Sequence, residues 1–164
     1  MNTIPKKSIL FIISCILLFR CGNDYIFEKN INLPNSYWTI DDKKQFDFVI
    51  SDTTVLYNID FNIRNTLNYP YSRIFVKYFL YDSLNKELDN NLISAFLFDA
   101  KTGKPLGNSG LGDLFSNSFP LLKDYQFPNK GKYSIELTQM TRQDTLQGII
   151  TVGLSVAKNL DNKQ

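Results

Sequence analysis

The sequence predicts an all-β domain, an antiparallel two-layer β-sandwich, lying behind an N-terminal signal segment. Three observations carry this. Segment 54–64 alternates strictly: Val55, Tyr57, Ile59, Phe61 and Ile63 point one way, and Asn58, Asp60, Asn62 and Arg64 the other, with Leu56 the one apolar exception. That period of two belongs to a strand and not to a helix face, and a strand with one wet face implies antiparallel neighbours. Strand patterns of this kind recur along the chain, seven to nine in all, separated by turn residues and without a helical repeat beyond the signal. Aromatic residues make up 14% of the chain, which suits a β-rich core. Immunoglobulin-like and jelly-roll-like windings fit the pattern equally well.

Residues 1–20 have the parts of a secretory signal peptide. Lys6 and Lys7 precede an apolar run through Ile9, Leu10, Phe11, Ile12, Ile13, Ile16, Leu17, Leu18 and Phe19, and the composition turns polar at Gly22, Asn23 and Asp24. The run is roughly a dozen residues, short of the ~20 that span a bilayer as a helix. We read it as cleaved and exported; the rival is a short anchor that stays attached. Cys21, directly behind the apolar core, stands where bacterial lipoproteins are cut and acylated. Leu18 fits the usual box three residues ahead, whereas Arg20 puts a bulky cation where a small residue is expected. Cys15 has the better neighbour in Ser14, but cutting there would leave 16–19 exposed and shorten the apolar core. Two or three acyl chains on Cys21 would tether the domain stably, at ~0.8 kcal/mol per buried CH₂.

Removing 1–20 takes away Lys6, Lys7 and Arg20 and no acidic residue, so the formal +2 of the whole chain becomes −1 in the mature one. The charge gives no argument for nucleic acid. About 144 residues remain, one domain of ordinary size. Cys15 leaves with the signal and Cys21 is consumed by acylation, so no disulfide is available. There is no histidine. That excludes Ser-His-Asp and Cys-His arrangements and histidine metal sites, and leaves carboxylate, lysine or tyrosine chemistry. No cofactor is expected.

Residues 21–36 read as a lipidated tether and lead-in containing a short strand over 25–29, and Pro34-Asn35-Ser36 signals a turn. The sandwich is expected over 37–158. Trp38, the one tryptophan, reads as a core or rim anchor. Asp41 to Lys44 form a charged turn, and 45–50 alternates with Phe46, Phe48 and Ile50 on one face. After the strand at 54–64 comes a connection holding Asn65, Asn68, Tyr69, Pro70 and Tyr71, in which Pro70 drives Tyr69 out of the α region. Segment 73–81 is apolar on both faces and is expected centrally in its sheet. Residues 82–91 read as a loop and 92–99 as a strand. Residues 119–130 read as mixed, with Pro120 and Pro128 as breakers, followed by strands over 132–139 and 149–156, a polar connection over 141–146 between them, and a polar tail at 159–164.

Chemistry is thinly signposted. Gly107, Gly110 and Gly112 suggest a phosphate loop, but Asp113 and a non-helical stretch follow where a helix N-terminus is needed. Asp41-Asp42 and Asp89-Asn90-Asn91 lack calcium-ligand spacing. No pair of carboxylates stands out for glycoside hydrolysis. The candidate interaction surface is the loop with Asn65, Asn68, Tyr69 and Tyr71, whose amides and phenols suit contact with sugar or protein.

Several pieces together resemble the gliding-motility lipoproteins of the GldH type, found in Bacteroidetes. They are Trp38 ahead of a Phe-rich strand, Tyr57-Asn58 leading to Ile63-Arg64-Asn65, Tyr69-Pro70-Tyr71-Ser72, the stretch 107–113, and Phe127-Pro128 with Gly131-Lys132-Tyr133. The closing match is 139–142, Leu146, Gly148-Ile149 and Val152-Gly153. The resemblance implies a lipid-anchored envelope protein at the periplasmic face of the outer membrane. It implies partners among other gliding-motality and type IX secretion lipoproteins and membrane components, and an assembling or stabilising role without turnover. The rival readings are a carbohydrate-binding lipoprotein and, behind it, a histidine-free hydrolase.

Overall fold

The computed structural model describes residues 25–110 and 112–159. The expected signal at 1–20, the acylation at Cys21 and the tail beyond Asn159 lie outside the described residues. The regular structure of the described chain is nearly all strand, and its strand pairs are antiparallel.

Two sheets face one another. The first holds β1 (Tyr25–Asn32), β4 (Leu56–Thr66), β7 (Asn108–Ser109), β8 (Leu114–Tyr125) and β11 (Ile149–Asn159), in the order β1-β11-β4-β8-β7. The second holds β3 (Lys44–Ile50), β5 (Arg73–Tyr81), β6 (Glu87–Phe96) and β9 (Gly131–Gln139), in the order β3-β9-β5-β6. A small ribbon, β2 (Tyr37–Thr39) with β10 (Thr145–Gln147), closes one end. Among the eight long strands, the first pairs with the last, the second with the second-last, β4 with β8, and β5 with β6. A long two-stranded ribbon wound over itself gives this pairing, which is the jelly-roll solution of the sandwich.

The alternation read in the sequence is the in/out pattern of the sheets. Tyr57, Ile59, Phe61 and Ile63 of β4 are buried, facing Ile74, Val76, Tyr78 and Leu80 of β5 and Ile135 and Leu137 of β9 across one core. Each fully buried aliphatic or Phe side chain contributes about 1.5–3 kcal/mol. β5 lies between β9 and β6, as its two apolar faces require. Trp38 is fully buried opposite Leu146, with its ring 6.3 Å from Phe61 and its indole Nε1 donating to the Asp42 carbonyl at 2.8 Å. It is a core anchor.

Four expectations are corrected. The strand expected over 25–29 runs from Tyr25 to Asn32 and pairs along β11. The loop expected at 82–91 is a turn over 82–86, after which β6 begins at Glu87; that strand ends at Phe96. β6 is an edge strand with mostly exposed side chains, so its Asp and Asn residues need no apolar alternation. β8 runs straight through Pro120. Pro120 faces Asp60 where the β4–β8 register shifts, and a bulge tolerates the missing N–H. The polar connection at 141–146 contains most of β10.

Candidate functional site

The crossing from β4 to β5 runs over one end of the sandwich, and hydrogen bonds fix its path. Asn65 is fully buried; its side-chain amide donates to the Thr66 carbonyl at 3.3 Å, and its Oδ1 accepts from Asn117 Nδ2 at 3.1 Å. Thr66 N donates to the Gly148 carbonyl at 2.8 Å, Asn68 N to Thr66 Oγ1 at 3.2 Å and Tyr69 N to the Thr66 carbonyl at 3.3 Å. Tyr69 then turns inward. Its ring stacks on Phe98 at 6.4 Å and 7°, and its hydroxyl donates to the Arg73 carbonyl at 2.9 Å. Burial pushes its phenol above the ordinary range, so it stays a neutral donor. The Tyr69–Pro70 bond is trans.

Of the four residues expected to form a contact surface, two are therefore corrected. Asn65 and Tyr69 are inside and position the loop. Asn68 and Tyr71 are exposed. They look to different sides: Asn68 lines a shallow depression shared with Tyr37 and Gln147, whereas Tyr71 packs edge-on against Tyr69 at 5.8 Å and lines a larger groove.

That groove has a volume of about 710 Å³. One wall is Pro70 to Arg73 with Phe75, and the other is the loop 140–143 behind β9. Sequence reading missed the second wall. It is held by Gln139, which is fully buried at the last inward position of β9. Gln139 Nε2 donates to the carbonyls of Gln143 (2.9 Å) and Asp144 (3.3 Å), and its Oε1 accepts from Thr141 N (2.9 Å) and Thr141 Oγ1 (2.6 Å). Met140 N donates to the Phe75 carbonyl at 2.8 Å and joins the walls. The signal available in the sequence was a glutamine where the alternation of β9 calls for an apolar residue.

The groove is apolar with two cations. Arg73 lays its guanidinium 4.1 Å above the Phe96 ring, near Phe75 at 5.9 Å. Arg142 is exposed, and among the described residues no carboxylate lies within 4.0 Å of either guanidinium. Farther along β5, Lys77 caps Phe79 at 4.6 Å and Phe79 stacks against Tyr81. The outward rings of β5 are thus partly covered, whereas a sugar platform needs bare faces. Tyr71 and Met140 remain open.

Elsewhere two of the candidate ligand carboxylates, Asp42 and Asp89, have structural partners. The Asp42 carboxylate accepts from Lys44 Nζ at 2.6 Å, and Asp89 accepts from the Tyr78 hydroxyl at 3.0 Å. Among the described residues no three metal-capable side chains come together. Gly107 lies against β8, where a Cβ would meet Ser116 O and Asn117 Nδ2, so that glycine serves close approach of two chains.

The model of the GldH lipoprotein family matches residues 25–156. The gliding motility lipoprotein GldH of Flavobacterium johnsoniae is 26% identical over 166 aligned residues, covering 92% of this chain and 96% of that protein. A gliding motility lipoprotein GldH homolog of Christiangramia forsetii is 25% identical over 157, covering 92% and 94%. The family match runs from the start of β1 to Val156 of β11, nearly all of the described sandwich, and on that footing the chain belongs to the GldH lipoprotein family.

Proposed function

We propose that this protein is a lipid-anchored, non-catalytic assembly component of the gliding-motility apparatus and of the linked type IX secretion machinery. It would be attached through acylated Cys21 to the periplasmic face of the outer membrane. The observation that carries the binding role is the groove between Tyr71 and Arg142. Its walls are hydrogen-bonded into the sandwich, its floor is apolar, and its two guanidiniums lack carboxylate partners among the described residues. A pre-formed surface that exposes aromatic and Arg groups has the composition of a protein-binding hot spot. Asn68 and Tyr71 are the residues of the β4–β5 loop available to a partner. The test is deletion of the gene in the native organism, with colony spreading and secreted protein measured, followed by complementation and crosslinking of the tagged protein. Loss of both traits with recovery of an envelope partner supports the reading; a deletion strain that spreads and secretes normally overturns it.

A further inference from the structure

The two ends of the sandwich differ, and the point where the chain enters selects one of them. β1 begins at Tyr25, opposite Ala157 near the far end of β11. The loop from Ile50 to Leu56, the loop from Tyr125 to Gly131 and the turn between β5 and β6 lie at that same end, where the Phe27 and Phe48 rings of the two edge strands pack 5.9 Å apart. The groove is at the opposite end, since Arg73 opens β5 and Met140 follows β9.

The entry end presents apolar side chains to water. Tyr25, Ile26, Val49 and Leu84 are all exposed, Leu84 at 84%. Leu84 does not sit on a loose loop. The Asp82 carboxylate accepts from the amides of Leu84 and Lys86, both at 2.9 Å, Asp82 N donates to the Lys86 carbonyl at 3.0 Å, and Asn85 takes a left-handed φ of 58°. Asn85 N also donates to the Asp82 carbonyl at 3.0 Å, so the turn is closed by backbone and Asp82 bonds and the Leu84 side chain is left in water. Val49 and the 82–85 turn line one depression together. Lys86, Lys130 and Lys132 are exposed around this end. Carboxylates share this end, each hydrogen-bonded to a neutral group: Asp82 within its turn, Asp52 to Thr54, Glu87 to Asn90 and Asp124 to Asn159, with Asp52 also 3.9 Å from Lys158. Open lysines beside exposed apolar groups suit the headgroup level of a bilayer, with ammonium groups among phosphates and carbon stems along acyl chains.

Cys21 is four residues ahead of Tyr25, a reach of at most about 14 Å even fully extended, while β11 alone is about 36 Å long at ~3.3 Å per residue. We infer that the end carrying Tyr25, Ile26, Val49 and Leu84 seats on the lipid surface, with Leu84 entering it, and that the Tyr71–Arg142 groove is thereby held at the far end, facing the aqueous compartment. This rests on acylation at Cys21. It assigns a lipid-contact surface and gives the groove a direction.

With Cys15 in the signal and Cys21 acylated, an introduced thiol is the single free one, which makes the test direct. Leu84→Cys and, separately, Asn68→Cys are made in the full chain, purified with its lipid, labelled with an environment-sensitive fluorophore and mixed with phosphatidylethanolamine–phosphatidylglycerol vesicles. The expected result is a blue shift at position 84, quenched at least two-fold by brominated acyl chains, and no change at position 68. Flotation with the vesicles reports the tether independently. Protein that floats while position 84 stays as wet as position 68 overturns the orientation and leaves the tether standing. Protein that does not float overturns both.

Discussion

Gly148 lies directly beneath the backbone of Tyr69: a Cβ at position 148 would sit 2.5 Å from the Tyr69 amide nitrogen and 2.9 Å from the Asn68 carbonyl carbon. Its φ of 74° is also left-handed. Two independent reasons therefore demand glycine, and they couple the β10–β11 turn to the β4–β5 loop. Gly148→Ala is expected to cost about 2–4 kcal/mol, from φ strain plus displacement of backbone that cannot yield like a side chain. Urea denaturation followed by near-ultraviolet circular dichroism checks this. A loss under about 0.5 kcal/mol would mean the loop moves freely and does not define one wall of a groove.

Gln139 pins the other wall. Gln139→Leu keeps the volume but leaves Thr141 N and the Gln143 carbonyl without their side-chain partner. Orphaned polar groups cost about 1–3 kcal/mol where water cannot replace the bond, and this loop is partly wet, so the lower half of that range is expected. The sharper readout is local. Amide exchange should accelerate at 140–144 and stay unchanged in β4, and uniform acceleration would mean that Gln139 acts on the whole fold instead.

What was legible in the sequence follows from where each signal arises. β4 was readable because one face meets the core and the other meets water, so burial writes itself as alternation. The first half of β6 and the run of β8 through Pro120 were not: an edge strand with exposed side chains keeps Asn and Asp, and a bulge keeps Pro120. The winding was illegible in principle, because the pairing of β1 with β11 joins segments more than a hundred residues apart and leaves no local mark. In the loop at 65–71 polarity does not mean exposure. Asn65 and Tyr69 are polar because a chain crossing a sandwich end needs buried donors and acceptors to satisfy its backbone. Arg142 was passed over because an arginine in a polar connection looks ordinary until Arg73 appears across the groove.

Tyr69 should make the fold alkali-sensitive. Burial raises its phenol in the folded chain, while in the unfolded chain it ionises near 10. Between those values the folded state binds the extra proton, so its contribution is complete below about pH 10 and is lost as pH rises through the folded value. Tyr78, raised by burial and by its bond to Asp89, acts in the same sense. Tyr69→Phe is expected to cost about 1 kcal/mol at pH 7 through the lost bond to the Arg73 carbonyl, and to flatten the decline above pH 10. Absorbance at 295 nm against pH, compared between the two proteins, isolates this phenol. Its titration in the ordinary range with the fold intact would contradict the buried position.

Arg142 and Arg73 separate binding from folding. Arg142 is exposed and, among the described residues, has no acidic partner, so Arg142→Glu should leave stability within about 0.5 kcal/mol of the parent. Arg73→Glu also loses the stacking on Phe96, about 0.5–1 kcal/mol at an exposed site. Both reversals put a carboxylate into a groove whose charged lining among the described residues is Arg73 and Arg142, which repels an acidic partner and desolvates poorly against an apolar one. Each should lower crosslinking to the envelope partner at least ten-fold, and the pair should abolish complementation of the deletion strain. Lys104→Glu, an equal charge change on an exposed loop outside the groove, supplies the control. If Lys104→Glu impairs spreading as much as Arg142→Glu does, net charge governs the effect and the groove is not the contact. If the arginine variants spread normally with unchanged crosslinking, the partner binds elsewhere, and the depression beside Asn68 becomes the next surface to probe.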